Sequence, residues 1–186
     1  GPMSRGLGDV YKRQHMDPTL ERSFRGHSGE VNSVAFNPNM KQLVSGSSDS
    51  TVRVYNFKPD MRALTFRGHT AGVLAVAASP TGRLVASGSK DRSVRIWQMS
   101  AGKTTRLPGE SKKMQMHTAS VRCVSFSSDE EQLLSASDDK MVKVWSVPGQ
   151  RFLYSLSGHT NWLRSAEFSP DGRLVVSCGD DKTVKL

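Results

Sequence analysis

The sequence predicts an all-β fold made of four copies of one four-stranded unit, the blades of a propeller. Three observations predict it. Histidines end a Gly-His or Met-His pair at His27, His69, His117 and His159, at intervals of 42, 48 and 42 residues. An aspartate follows each of them 22 residues later, at Asp49, Asp91, Asp139 and Asp181. Between these landmarks apolar residues alternate along the chain, and no stretch carries a helical period. Four short strands in a period of about 42 residues is the pattern of a propeller blade.

Each histidine is followed by a first strand: VNSVAF, VLAVAA, VRCVSF and LRSAEF. Turns such as NPNMK, SPTGR and SPDGR come next, because Pro, Gly and Asn favour chain reversal. The second strands, QLVSGS, RLVASG, QLLSAS and RLVVSC, are more apolar. The aspartate turn leads to a third: TVRVY, SVRIW, MVKVW and TVKL. The segments before a histidine, LERSFRG, ALTFRG and FLYSLSG, supply outermost strands. The repeats run over approximately 20–57, 62–99, 107–147 and 152–186, the last truncated, within one unit from 17 to 186.

The chain thus opens on an outer strand and ends on a third inner one, which leaves the fourth blade without its outer strand. It could close on itself with four blades, be completed by further blades to seven, or pair with a second chain. The expectation favours the last: a homodimer exchanging LERSFRG strands to form an eight-bladed, twofold ring.

A serine stands four residues before each aspartate, at Ser45, Ser87, Ser135 and Ser177. An aromatic stands six after it, at Tyr55, Trp97 and Trp145; the fourth would fall one residue past Leu186. Ser, His and Asp at fixed spacing invite a hydrolase reading. The trio recurs four times, however, and there is no G-x-S-x-G elbow.

These motifs closely resemble the WD-repeat family of β-propellers. The resemblance implies a hydrogen-bonded network inside each blade, running from aspartate to histidine to serine to tryptophan indole. The residues His27, Ser45, Asp49, Tyr55, His69, Ser87, Asp91, Trp97, His117, Ser135, Asp139, Trp145, His159, Ser177 and Asp181 are then structural and none is catalytic. Blade one departs from the pattern with Tyr55, whose phenol keeps the ring and donates with altered reach. Blade three has Met116 where the others have glycine, which predicts a looser loop before its histidine. Blade four, without its aromatic, is expected to have an incomplete network.

The net charge is +9, which favours acidic partners. Part of it lies in residues 1–16, where Gly1-Pro2 and His15-Met16 read as non-native expression and cloning scars and are set apart from the fold. Arg53, Arg95, Lys143 and Lys185 recur in the third strands. They are read as structural or solvated, since there is neither an aromatic-lined basic groove nor a recognition helix for nucleic acid. Cys123 and Cys178 lack C-x-x-C spacing, so reduced thiols are expected, with no metal site and no cofactor. No apolar stretch is long enough for a bilayer, no signal peptide is evident, and a cytoplasmic location without membrane binding is expected. The interval before His117 is longer than its counterparts and basic, with Lys103, Arg106, Lys112 and Lys113; it reads as a contact loop or a tolerated insertion.

In WD propellers partners often dock on the face near the central channel, at positions flanking the start of the first strand and just before the turn aspartate. Here these are Glu30, Asn32 and Ser48; Gly72, Leu74 and Lys90; Ser120, Arg122 and Asp138; Trp162, Arg164 and Asp180. Trp162 and Arg164 are the residue types most enriched in binding hot spots; the alternative reading packs Trp162 within its own loop.

The stretches DPTLERSFRGH and RFLYSLSGHTNWLRSAEFSPDGRL narrow the likeness. They resemble the opening repeats of a centriolar family called proteome-of-centriole one, over about residues 17–186. That resemblance implies a non-enzymatic scaffold at centrioles and basal bodies, supporting centriole stability and cilium assembly and binding centriolar or microtubule-associated proteins. It also implies a seven-bladed propeller and a C-terminal coiled coil, of which this chain holds only the first part. The alternative is a WD adaptor subunit of a ubiquitin-ligase or nucleic-acid-associated assembly. No small-molecule substrate is expected.

Overall fold

The computed structural model describes residues 20–59, 61–99, 111 and 113–186. The leader 1–16 and most of the basic segment, Lys103, Arg106 and Lys112 included, lie outside the described residues. Among those described there are fifteen strands in four antiparallel sheets and no helix. The first sheet holds β1 (Val31–Phe36), β2 (Gln42–Ser47), β3 (Thr51–Asn56) and β4 (Leu64–Arg67). The second holds β5 (Val73–Ala78), β6 (Leu84–Ser89), β7 (Val94–Gln98) and β8 (Lys113–Met114). The third holds β9 (Val121–Phe126), β10 (Gln132–Ser137), β11 (Val142–Ser146) and β12 (Arg151–Leu156). The fourth has three strands, β13 (Leu163–Phe168), β14 (Val175–Gly179) and β15 (Val184–Lys185). Each sheet is a meander, in which strands adjacent in sequence pair in space.

The turns explain why. Between first and second strands a Ser or Asn side chain caps the reversal: Ser79, Ser127 and Ser169 hydroxyls accept from the backbone N–H of Leu84, Gln132 and Leu174. Between second and third strands the aspartate carboxylate accepts from the N–H two residues on, as Asp49 does from Thr51 at 3.0 Å. The residue in between takes a left-handed backbone in all four blades, at Ser50, Arg92, Lys140 and Lys182.

The core lies between sheets. Val44, Val52, Val54 and Phe66 of the first sheet pack on Val73, Val76, Val85 and Trp97 of the second. Leu134, Ala136, Val142 and Val144 of the third pack on Leu163 and Ala166 of the fourth. The second strands of the two inner sheets are therefore covered on both faces, which is why RLVASG and QLLSAS read as apolar runs. The two outermost faces have no such cover. Val34 is 69 % exposed where its counterpart Val76 is 7 %, and Val184 is 72 % exposed where Val52 is 0 %.

Two expectations change. The segment LERSFRG forms no strand, since no sheet edge lies beside it to take its backbone hydrogen bonds. It lies along the first sheet instead, with Arg22 donating to the Phe57 carbonyl at 2.6 Å. Lys113-Met114, within the segment read as a loop, forms the short strand β8 because β7 offers it an edge. The strands before His69, His117 and His159 complete the preceding sheets, as a fourth blade lacking its outer strand requires: β4, just ahead of His69, pairs with β3. Among the described residues the fourth sheet has no outer strand, as the repeat count implies.

Candidate docking face and the network that holds it

The strand lengths bring histidine, serine and aspartate together in every blade. His69 Nδ1 lies 2.8 Å from Asp91 Oδ2, and its Nε2 lies 2.7 Å from Ser87 Oγ. The same pairs measure 2.9 and 2.7 Å at His27, 2.7 and 2.7 Å at His117, and 2.7 and 2.9 Å at His159. The indoles of Trp97 and Trp145 donate to Ser87 and Ser135, each at 2.8 Å. A carboxylate only accepts, so histidine Nδ1–H donates to it and the neutral ring's Nε2 accepts from the serine hydroxyl, which in blades two and three accepts in turn from the indole N–H.

Burial pushes the Asp91 carboxyl up. Hydrogen bonds from His69, Ser93 and the Thr70 N–H outweigh it and hold the group well below the ordinary carboxylate range. Asp49 and Asp181 are lowered by the same balance, with Thr51 and Thr183 in place of Ser93. Asp139 is lowered as well, against the push of burial, by His117 and backbone donors alone.

These atoms repeat the connectivity of a hydrolase triad. Ser87 and Ser135 are nevertheless completely buried, and their oxygens already accept from an indole. A hydroxyl in that position cannot meet a substrate. Tyr55 keeps its ring 6.4 Å from that of His27, but its hydroxyl makes no bond to Ser45, because a phenol carries its oxygen at the far end of the ring. Met116 lacks the left-handed backbone of Gly26 and Gly158, so the chain enters blade three by a different path.

The recurrent basic residues pack against neighbouring backbone and rings. The Arg53 guanidinium fills the space beside Gly26, where a Cβ would stand 2.3 Å from its Nη1. Arg95 donates to Ser111 and lies over Trp97. Lys143 is buried, with its ammonium 5.3 Å from the Phe152 ring centre.

One backbone bond per blade gathers the positions singled out for docking. Ser48 donates to Glu30, Lys90 to Gly72, Asp138 to Ser120 and Asp180 to Trp162, at 2.8–3.0 Å. Asn32 bonds Ser48 and also reaches the Val73 carbonyl of the next blade at 2.8 Å. Arg122 forks onto Asp138, and Arg164 onto Asp180. The bonds from Arg164 hold the Asp180 carboxyl below its usual range. Leu74 is half-buried and Lys90 is exposed. Trp162 stands 46 % exposed, with the Arg164 guanidinium 5.9 Å from its ring centre.

Comparison with known proteins agrees with this geometry. The family described as WD domain, G-beta repeat matches residues 18–56, 62–98, 110–146 and 150–186. The chain belongs to the WD40-repeat family. Among curated proteins, a POC1 centriolar protein homolog A of Xenopus tropicalis is 58 % identical over 50 residues, 27 % of this chain and 11 % of that protein. The Danio rerio homolog A is 53 % identical over 47 residues, and the Xenopus laevis homolog B 52 % over 47 residues, each over 25 % of this chain and 11 % and 10 % of theirs. The matches thus span about a tenth of those relatives' length.

In this WD40 chain the hydroxyl two residues after the aspartate was overlooked in the sequence. Thr51, Ser93 and Thr183 each donate to the aspartate's second oxygen. Their signal is a Thr or Ser at a constant offset, broken only by Met141. The Arg122–Asp138 and Arg164–Asp180 pairs were legible as candidate positions and not as partners, since sixteen residues separate their members.

Proposed function

We propose that this WD40 chain is a non-enzymatic protein-binding scaffold of centrioles and basal bodies, serving centriole stability and cilium assembly. Two things support it: the likeness to POC1 centriolar proteins and, above all, Trp162. An indole half open to solvent, braced by an ion-paired arginine, offers a rigid apolar anchor with little order left to lose on binding. The docking face comprises Glu30, Asn32, Ser48, Leu74, Lys90, Arg122, Asp138, Trp162, Arg164 and Asp180, and its partner is a centriolar or microtubule-associated protein.

The test is placement in ciliated cells. The fluorescently labelled chain is expected to collect at centrioles, and Trp162→Ala with Arg164→Ala is expected to disperse it without changing the melting curve of the purified protein. A chain that ignores centrioles overturns the reading. A double variant that collects as well as the parent overturns the choice of face.

A second reading is a homodimer closed as an eight-bladed ring. The free edge of β15 and the strandless segment 20–26 in one chain support it. Its signature is a solution mass near twice 20.4 kDa.

A further inference from the structure

Charge is shared unevenly along the chain. Residues 20–99 hold eleven Lys and Arg against five Asp and Glu, whereas residues 113–186 hold nine of each. In blade one the surplus gathers at the loop between β3 and β4, residues 56–62. Lys58 and Arg62 belong to that loop. Its Phe57 N–H donates to the Lys41 carbonyl at 2.9 Å, and its Phe57 carbonyl accepts from Arg22 at 2.6 Å. Asn56 Nδ2 donates to the Arg62 carbonyl at 3.2 Å and closes the loop on itself. Bonds to the backbone, not counter-ions, therefore bring Arg22, Lys41, Lys58 and Arg62 together. All four are exposed, and among the described residues none of them forms an ion pair.

A cleft of about 400 Å³ opens beside the loop. Arg22, Arg25 and Lys58 line it with the Asn56 amide, and Phe24 and Met61 supply apolar wall. No carboxylate among the described residues lines it. In sequence, segments 20–26 and 56–62 carry Arg22, Arg25, Lys58 and Arg62 against Glu21 and Asp60. β3 runs from the aspartate turn down to this loop, so the cleft stands at the opposite end of the sheet from Ser48 and the docking face.

We propose that this cleft is a second docking site, which takes an acidic segment of a protein partner. Cations held together without counter-ions raise the local potential and draw carboxylates in. The ring of Phe24 and the thioether of Met61 give an extended peptide somewhere to seat an apolar side chain. A bilayer surface or a nucleic-acid duplex brings the charge and no such side chain. The site is independent of Trp162 and of the centriolar reading.

A fluorescein-labelled peptide of glutamates with one central leucine is titrated with the full chain and followed by anisotropy. Micromolar binding that weakens with added salt is expected. Arg25→Glu with Lys58→Glu is expected to weaken it about tenfold and to leave the melting curve in place, since both side chains are exposed. The neutral pair Arg25→Gln with Lys58→Gln is expected to weaken it about threefold, and it carries the test should charge reversal disturb the fold. Lys140→Glu with Lys182→Glu removes the same charge from exposed positions at the other end of the blades. That change is expected to cost less than about twofold, because salt screens charges so far apart. No binding by the parent, or equal losses at the two ends, overturns the proposal. Phosphatidylserine vesicles and a labelled DNA duplex are titrated in parallel. Tighter binding of either than of the peptide, lost with Arg25 and Lys58, overturns the acidic peptide as occupant.

Discussion

Phe24 lies against Tyr55 with ring centres 5.2 Å apart, the relation that Phe66 holds to Trp97 at 5.3 Å. Each phenylalanine stands three residues before a histidine. Phe66 reaches its position on a paired strand and Phe24 on a segment with no strand partner. Aromatic packing, the Arg22 bond to the Phe57 carbonyl and the His27 network thus seat the segment 20–27 where the outer strand of a preceding blade would run. Phe66→Ala is expected to cost about 3–5 kcal/mol, because the ring is fully buried, and Phe24→Ala clearly less. Urea unfolding of the two variants checks the order.

Removing a member of the network strands its buried partners. His69→Ala and Asp91→Ala are each expected to lower stability by about 1–3 kcal/mol. Unchanged melting temperatures in both would contradict a structural role.

Tyr55→Trp should stabilise the chain. The Tyr55 ring already lies 6.4 Å from His27, close to the 6.0 and 6.3 Å between tryptophan and histidine in blades two and three. An indole there gives Ser45 the donor that Ser87 and Ser135 have, a gain of about 1 kcal/mol. Differential scanning calorimetry reads it as a higher melting temperature.

Acid should unfold the blades through their aspartates. Asp49, Asp91, Asp139 and Asp181 all have folded values below the ordinary 3.8. A carboxyl lowered by folding contributes stability that is complete above its unfolded value and lost as the pH falls toward its folded one. Urea midpoints are expected to hold above about pH 5 and to decline steadily below pH 4. Asp91→Asn should make that decline shallower, and an identical slope would contradict the assignment.

The basic charge should not confer tight duplex binding. Arg53 packs against Gly26, Arg95 is held by Ser111 and Trp97, and Lys143 is buried. Anisotropy with labelled duplex DNA is expected to show no submicromolar affinity that collapses with added salt.

The amino-acid order alone determined the repeat and the strands inside each blade, and the family resemblance it carries implied the network that ties them. These follow from local facts: alternation along a strand, turn residues between strands, and a 22-residue interval that two strands and two turns convert into a fixed distance between histidine and aspartate. Tertiary structure decided the rest. LERSFRG and ALTFRG look alike, yet only the second is a strand, because a strand needs an edge to pair with and only β3 supplies one. Lys113-Met114 looks like loop and pairs with β7 for the same reason. Val34 and Val76 occupy the same register, one open to water and the other sealed against Gly46. Hydrogen bonding and packing across a joint depend on what stands opposite, and no local pattern in the chain records that.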